Sequence, residues 1–111
     1  MSGEGHLAAA PPNPERGEAS LVVAGAARVL RPSFAALVAA EEELGPLFAL
    51  VERASAGGLK LSELAALFWH CLADRGELGR EHVNQAVAHA GLAAASKPLR
   101  ALLVQILQGA R

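Results

Sequence analysis

The sequence predicts an α+β fold, with an N-terminal β-hairpin followed by a compact bundle of four to five α-helices. Three observations carry this. β-Rich runs are confined to the front of the chain, at Leu21-Val22-Val23 and Arg28-Val29-Leu30. From Phe34 onward the apolar residues recur at helical spacing. Gly45-Pro46, Gly57-Gly58, Gly76 and Gly91 then cut the helical part into pieces of ordinary length. Strands first and helices behind is the order of an α+β domain.

Residues 1–18 hold Pro11, Pro12, Pro14 and several glycines but almost no large apolar side chain. Such a segment cannot offset its ordering entropy, so it is expected to be a disordered N-terminal tail ahead of a single domain over 19–111. The hairpin is expected from Ala19 to Arg31, turning at Gly25, where positive φ costs nothing. A lone two-stranded hairpin is not stable in water, so it must lie on the helices or pair its edges with another chain. Pro32 ends the second strand and Ser33 is a natural N-cap for the first helix. That helix is expected to place Phe34, Leu37, Val38 and Leu44 on one face. Gly45 and Pro46 stop it.

Leu47, Phe48, Leu50 and Val51 continue a helical pattern to about Ala54, either as a second helix or past a kink at Gly45-Pro46. A third helix is expected from an N-cap at Ser62, with Leu61 folding back on its first turn. It should carry Leu64, Leu67, Phe68, Cys71 and Leu72 inward and stop near Gly76. The fourth, Arg80 to Ala90, has a weaker pattern of Val83, Ala86, Val87 and Ala90, with Gly91 as its stop. The last runs from Ser96 to about Gln108, where Leu99, Leu102, Leu103, Ile106 and Leu107 follow i, i+3, i+4, i+7, i+8.

Composition excludes several classes. Apolar residues make up 52%, but much of that share is alanine, so the core is smaller than the figure suggests. A net charge of −1 gives no basic field to hold nucleic acid. The single cysteine, Cys71, fits a reducing cytoplasm. No run approaches the ~20 apolar residues a membrane span needs, and the front lacks the cationic, apolar pattern of a signal peptide. A cytoplasmic protein is the expectation.

Chemistry has little to stand on in the sequence. His6, His70, His82 and His89 show no metal-ligand spacing, and the glycines show no phosphate-loop pattern. Cys71 sits mid-helix in an apolar pattern, which suits a buried, inert thiol. Glu41-Glu42-Glu43 spreads its carboxylates over about 200° of helix arc, so a solvated face or a patch for a basic partner explains it better than a catalytic pocket. The expectation is no enzyme, no metal and no cofactor. Trp69 follows Phe68, so the two rings point to different sides; if Trp69 is exposed it anchors an interface.

The order of the pieces resembles the gene transfer agent family proteins, grouped with phage tail assembly chaperones. The residues that carry the likeness are the two strands around Gly25, the extended Pro32-Ser33 link, and Glu43-Leu44-Gly45 at the end of the first helix. The block GGLKLSELAALFWHCLADRG, Gly57 to Gly76, is similar to the family's second conspicuous block. Leu78-Gly79 departs from it, where the family often has a polar N-cap. The resemblance implies a non-enzymatic protein of phage tail morphogenesis, most readily an assembly chaperone that binds the tape-measure protein or other tail proteins. A structural tail tube component, and a small regulatory adaptor unrelated to phage, are the alternatives. A homo-oligomer is compatible with each. The partner surface is expected to combine the hairpin, at Val22, with Trp69 and the last helix, at Leu99, Leu102, Leu103 and Ile106. The competing expectation is that the last helix spends this stripe entirely on the core.

Overall fold

The computed structural model describes residues 19–108; the expected tail over 1–18 lies outside them. Ala24 and Gly25 take φ of 53° and 82°, the positive pair that a two-residue hairpin turn requires to match strand twist. They join β1 (Ala19–Val23) to β2 (Ala26–Leu30) in antiparallel register, with Ala19 opposite Leu30 and Val23 opposite Ala26. Period-2 alternation puts Ala19, Leu21 and Val23 inward and leaves Ser20 and Val22 exposed. Four helices follow, so the fold is α+β as the sequence predicts.

Ser33 caps α1 (Phe34–Leu44): its hydroxyl accepts the Ala36 N–H at 3.1 Å. The expected apolar face of this helix needs correcting. Ala40 is buried, and Leu37 and Leu44 pack against the core beside it, whereas Phe34 is 84% exposed and Val38 is exposed too. Leu37, Ala40 and Leu44 share one line that packs on the third helix; Phe34 and Val38 lie roughly 90° and 130° around from its centre. Gly45, at φ 92°, ends the helix and returns its N–H to the Glu41 carbonyl, so α1 and α2 (Leu47–Ser55) are separate helices and not one kinked helix. Pro46 has no side-chain oxygen to cap α2. The Glu41 carboxylate does this instead, accepting the Leu47 N–H at 3.0 Å. Glu41 therefore closes a helix end, where the sequence suggested a solvated face or a patch for a basic partner.

α3 (Leu61–Cys71) starts earlier than expected, with Lys60 and not Ser62 at the cap. Glu63 makes this possible, accepting the Lys60 N–H at 2.9 Å and an Arg53 N–H at 2.7 Å. Leu61 is thus in the helix and 53% exposed, not folded back before it. Leu64, Leu67, Phe68, Cys71 and Leu72 all point inward as predicted. The helix stops at Cys71, short of Gly76, because the next residues extend along β2. The Arg31 N–H donates to the Cys71 carbonyl at 2.6 Å and the Ala73 N–H to the Val29 carbonyl at 3.0 Å, placing Leu72 opposite Leu30. Local periodicity reads this strip as helix; only β2 offers it a ladder.

α4 (Arg80–Gln108) is interrupted at Gly91, whose φ of 87° and ψ of 158° are not helical. Residues 80–90 and 92–108 are the two pieces. Val83, Ala86 and Val87 face inward, but Ala90 is exposed. The second piece begins directly after Gly91, ahead of the expected Ser96, and carries a buried Pro98. At Gly79 the missing polar cap is replaced from within the helix: the His82 Nδ1 accepts the Gly79 N–H at 2.9 Å. Taken end to end, Arg80–Gln108 has the length and composition of a membrane span, contrary to the expectation that no such segment exists, but the break at Gly91 divides it into two pieces, each shorter than the ~20 residues a span needs. In this fold it lies against β1 and α3. Phe68, Leu30, Leu67, Leu102, Val23 and Val83 fill the space between hairpin, α3 and α4.

Candidate partner-binding surface

The expected surface residues do not form one patch. Val22 is 61% exposed, on the outer face of the hairpin. Leu102 is fully buried, so its side chain is core in this fold. Leu99, Leu103 and Ile106 are half-buried, with Leu99 packed on the core edge. Leu107 is exposed. The stripe read from the sequence therefore has a buried centre line and exposed flanks, the division expected of a helix at the edge of a small core.

Trp69 lies elsewhere. Phe68 takes the core, and Trp69 is half-buried on the opposite side under the guanidinium of Arg75, which stands 4.3 Å from the ring centroid. Arg80 approaches the same ring at 5.8 Å. Its guanidinium donates to both oxygens of Glu43, at 2.8 and 2.5 Å, and the His70 Nε2–H donates to the same carboxylate at 2.7 Å. A pocket of about 170 Å³ opens between these groups, with Ala65 and Ala66 at its floor and Asn84 on its rim. Glu43 ends α1, Trp69 and His70 end α3, and Arg80 begins α4, so the cluster fastens three helices at one corner. No local signal marks the cluster in the sequence, since Glu43 is distant along the chain from Trp69, His70 and Arg80.

The Arg80 hydrogen bonds, with a smaller share from His70, hold the Glu43 carboxyl at about 2, against 4.5 for an ordinary one. The folded state thus binds fewer protons at Glu43 than the unfolded chain. Its stabilising contribution is present above pH ~4.5 and is lost as the pH falls through ~2. Water screens this half-exposed group, so the contribution is modest. The expected outcome is that Glu43→Gln flattens the acid limb of the stability curve between pH 4.5 and 2, read by urea midpoints. An unchanged acid limb would show the carboxylate to be unpaired in solution.

Two further apolar features were legible as residue types but not as surface. Leu92 is 67% exposed and Val104 52% exposed, both on α4. Leu92 and Leu99, with Leu59, Leu61 and Leu64, line an open pocket of about 220 Å³ between α4 and the start of α3. Only 17% of the most apolar 18-residue stretch of α4 is buried. Cys71 is fully enclosed, and burial pushes its thiol up to about 12, so it is not a thiolate near neutrality. Among the described residues, no three His, Cys, Asp or Glu side chains converge as metal ligands would. What the arrangement offers is exposed apolar surface on α4.

Residues 16–109 match the family described as Phage tail tube protein, GTA-gp10. No curated protein matches the chain, and no solved structure does.

Proposed function

The chain belongs to the phage tail tube protein, GTA-gp10, family, and from that membership we propose that it is a non-enzymatic tail assembly chaperone that binds the tape-measure protein in the bacterial cytoplasm. The observation that carries this reading is the unspent apolar surface of α4. So apolar a helical segment is normally buried, yet most of the most apolar stretch of α4 is not. Leu92, Val104 and Leu107 stand out from it, and the pocket around Leu59 and Leu61 opens beside Leu92. A surface of this kind accepts the apolar face of a partner helix, with side chains entering the pocket as anchors. A long tail protein with exposed apolar helices, held soluble before its tube forms, has the complementary chemistry.

A second reading, a structural component of the tail tube, is favoured by the family's own description. A tube wall needs repeated contacts between copies that close into rings. The regulatory adaptor unrelated to phage loses its ground, because the family is a phage tail family.

Co-expression with the tape-measure protein tests the proposal. The expected result is a soluble tape-measure protein that copurifies with the chain. A Leu92→Lys, Val104→Lys, Leu107→Lys triple variant, folded by circular dichroism, is expected to weaken that capture at least tenfold. Rings or tubes formed by the chain alone at high concentration, with no effect on tape-measure solubility, would establish the tube component instead.

A further inference from the structure

We propose that two copies of this chain pair through β1, joining their hairpins into one continuous antiparallel sheet across a two-fold axis at Leu21. The inference stands apart from the chaperone reading and rests on the edges of the sheet. The outer edge of β2 is already occupied where the 71–73 strip lies along it, with Arg31 bonded to Cys71 and Ala73 to Val29. The outer edge of β1 carries no such ladder among the described residues.

Register fixes which groups point there. The two-residue turn makes Val23 and Ala26 a hydrogen-bonded pair, so Leu21 with Arg28 and Ala19 with Leu30 are hydrogen-bonded pairs as well. The outward bonds of Val29 and Arg31 on β2 agree with this parity. Ser20 and Val22 therefore direct their N–H and C=O groups away from β2. Five residues, Ala-Ser-Leu-Val-Val, form this edge without a charge, a proline or a bulge, the devices that normally keep an edge from pairing.

The edge is complementary to itself. With the two-fold axis at Leu21, Ser20 stands opposite the partner's Val22, and Val22 opposite the partner's Ser20. Each pair exchanges both backbone bonds, so all four outward groups in each copy are satisfied. Leu21 then meets the partner's Leu21 in a non-hydrogen-bonded pair, on the face that already looks into the core. One event covers two identical open edges, which a strand from another protein would not do.

A strand edge alone falls short of the roughly 800 Å² per partner that a stable interface buries. α4 supplies more surface on the same side. A groove of about 370 Å³ runs beside the edge, lined by Ala19, Ser20, Ala94, Lys97 and Pro98. The helix face it belongs to continues one turn on, to the half-buried Ala101. Small side chains there let the second copy approach closely, and the Lys97 stem can lie along it with its charge in water.

Sedimentation of the full chain tests this. The expected result is a species of twice the 11.4 kDa chain mass, dissociating on dilution. Val22→Pro removes an outward N–H that has no partner among the described residues, so it is expected to weaken the dimer at least tenfold with an unchanged far-ultraviolet spectrum. Leu21→Cys reads the register directly, since mild oxidation is expected to link two copies at the axis. A chain that stays monomeric at high concentration overturns the proposal, as does a dimer indifferent to Val22→Pro whose Leu21→Cys variant does not cross-link. If the chain is monomeric but Val22→Pro abolishes capture of a tail protein, the edge belongs to that protein's strand and the two-fold pairing is wrong.

Discussion

Phe68→Ala is expected to lower the unfolding free energy by about 3–5 kcal/mol. The ring is fully buried in the middle of α3 and belongs to the cluster formed by the hairpin, α3 and α4. Few of its neighbours can move inward to fill the space. Cys71, Leu67 and Leu64 are fixed by their own helix, and Leu30 is held by the ladder to the 71–73 strip. The lost transfer energy is therefore joined by the cost of a residual cavity. For a small domain this is a large fraction of the total stability. Urea unfolding followed by the far-ultraviolet signal gives the measurement. A loss under 1 kcal/mol would mean that Phe68 is not the centre of the core.

The second large effect separates core from surface on α4. Leu102→Ala is expected to cost about 2–5 kcal/mol, because Leu102 is fully buried. Leu107→Ala is expected to stay within about 0.5 kcal/mol, because that side chain is 63% exposed. Both residues belong to the same apolar stripe in the sequence. Similar costs at the two positions would show that the helix end is buried in solution, as in an oligomer. The reversed order would show that α4 is rotated about its axis.

Much of the architecture was legible residue by residue. Gly25 marked the hairpin turn, Ser33 the first helix cap, and Gly45 and Gly91 two helix breaks, because each acts through its own backbone or its nearest neighbours. The inward line of α3 was equally plain, since strong periodicity over several turns leaves one face to bury. The two-block resemblance pointed to the phage tail family that the chain belongs to.

Tertiary structure decided what depended on partners distant in sequence. Phe34 and Val38 looked like part of an inward face, but the crossing of α1 over α3 chose Leu37, Ala40 and Leu44, and spacing alone cannot set where a neighbour lies. Residues 71–73 looked helical until β2 offered them hydrogen bonds. Glu41, Glu43 and His82 read as surface polar residues, yet each closes a helix end or an ion pair whose geometry exists only after folding. The partner surface shows the same division. Helical periodicity identified α4 as amphipathic, but only packing against β1 and α3 separated Leu102, spent on the core, from Leu92, Val104 and Leu107, left in water. Sequence periodicity determines which side chains share a line on a helix; which line is buried is set by the shape of everything packed against it.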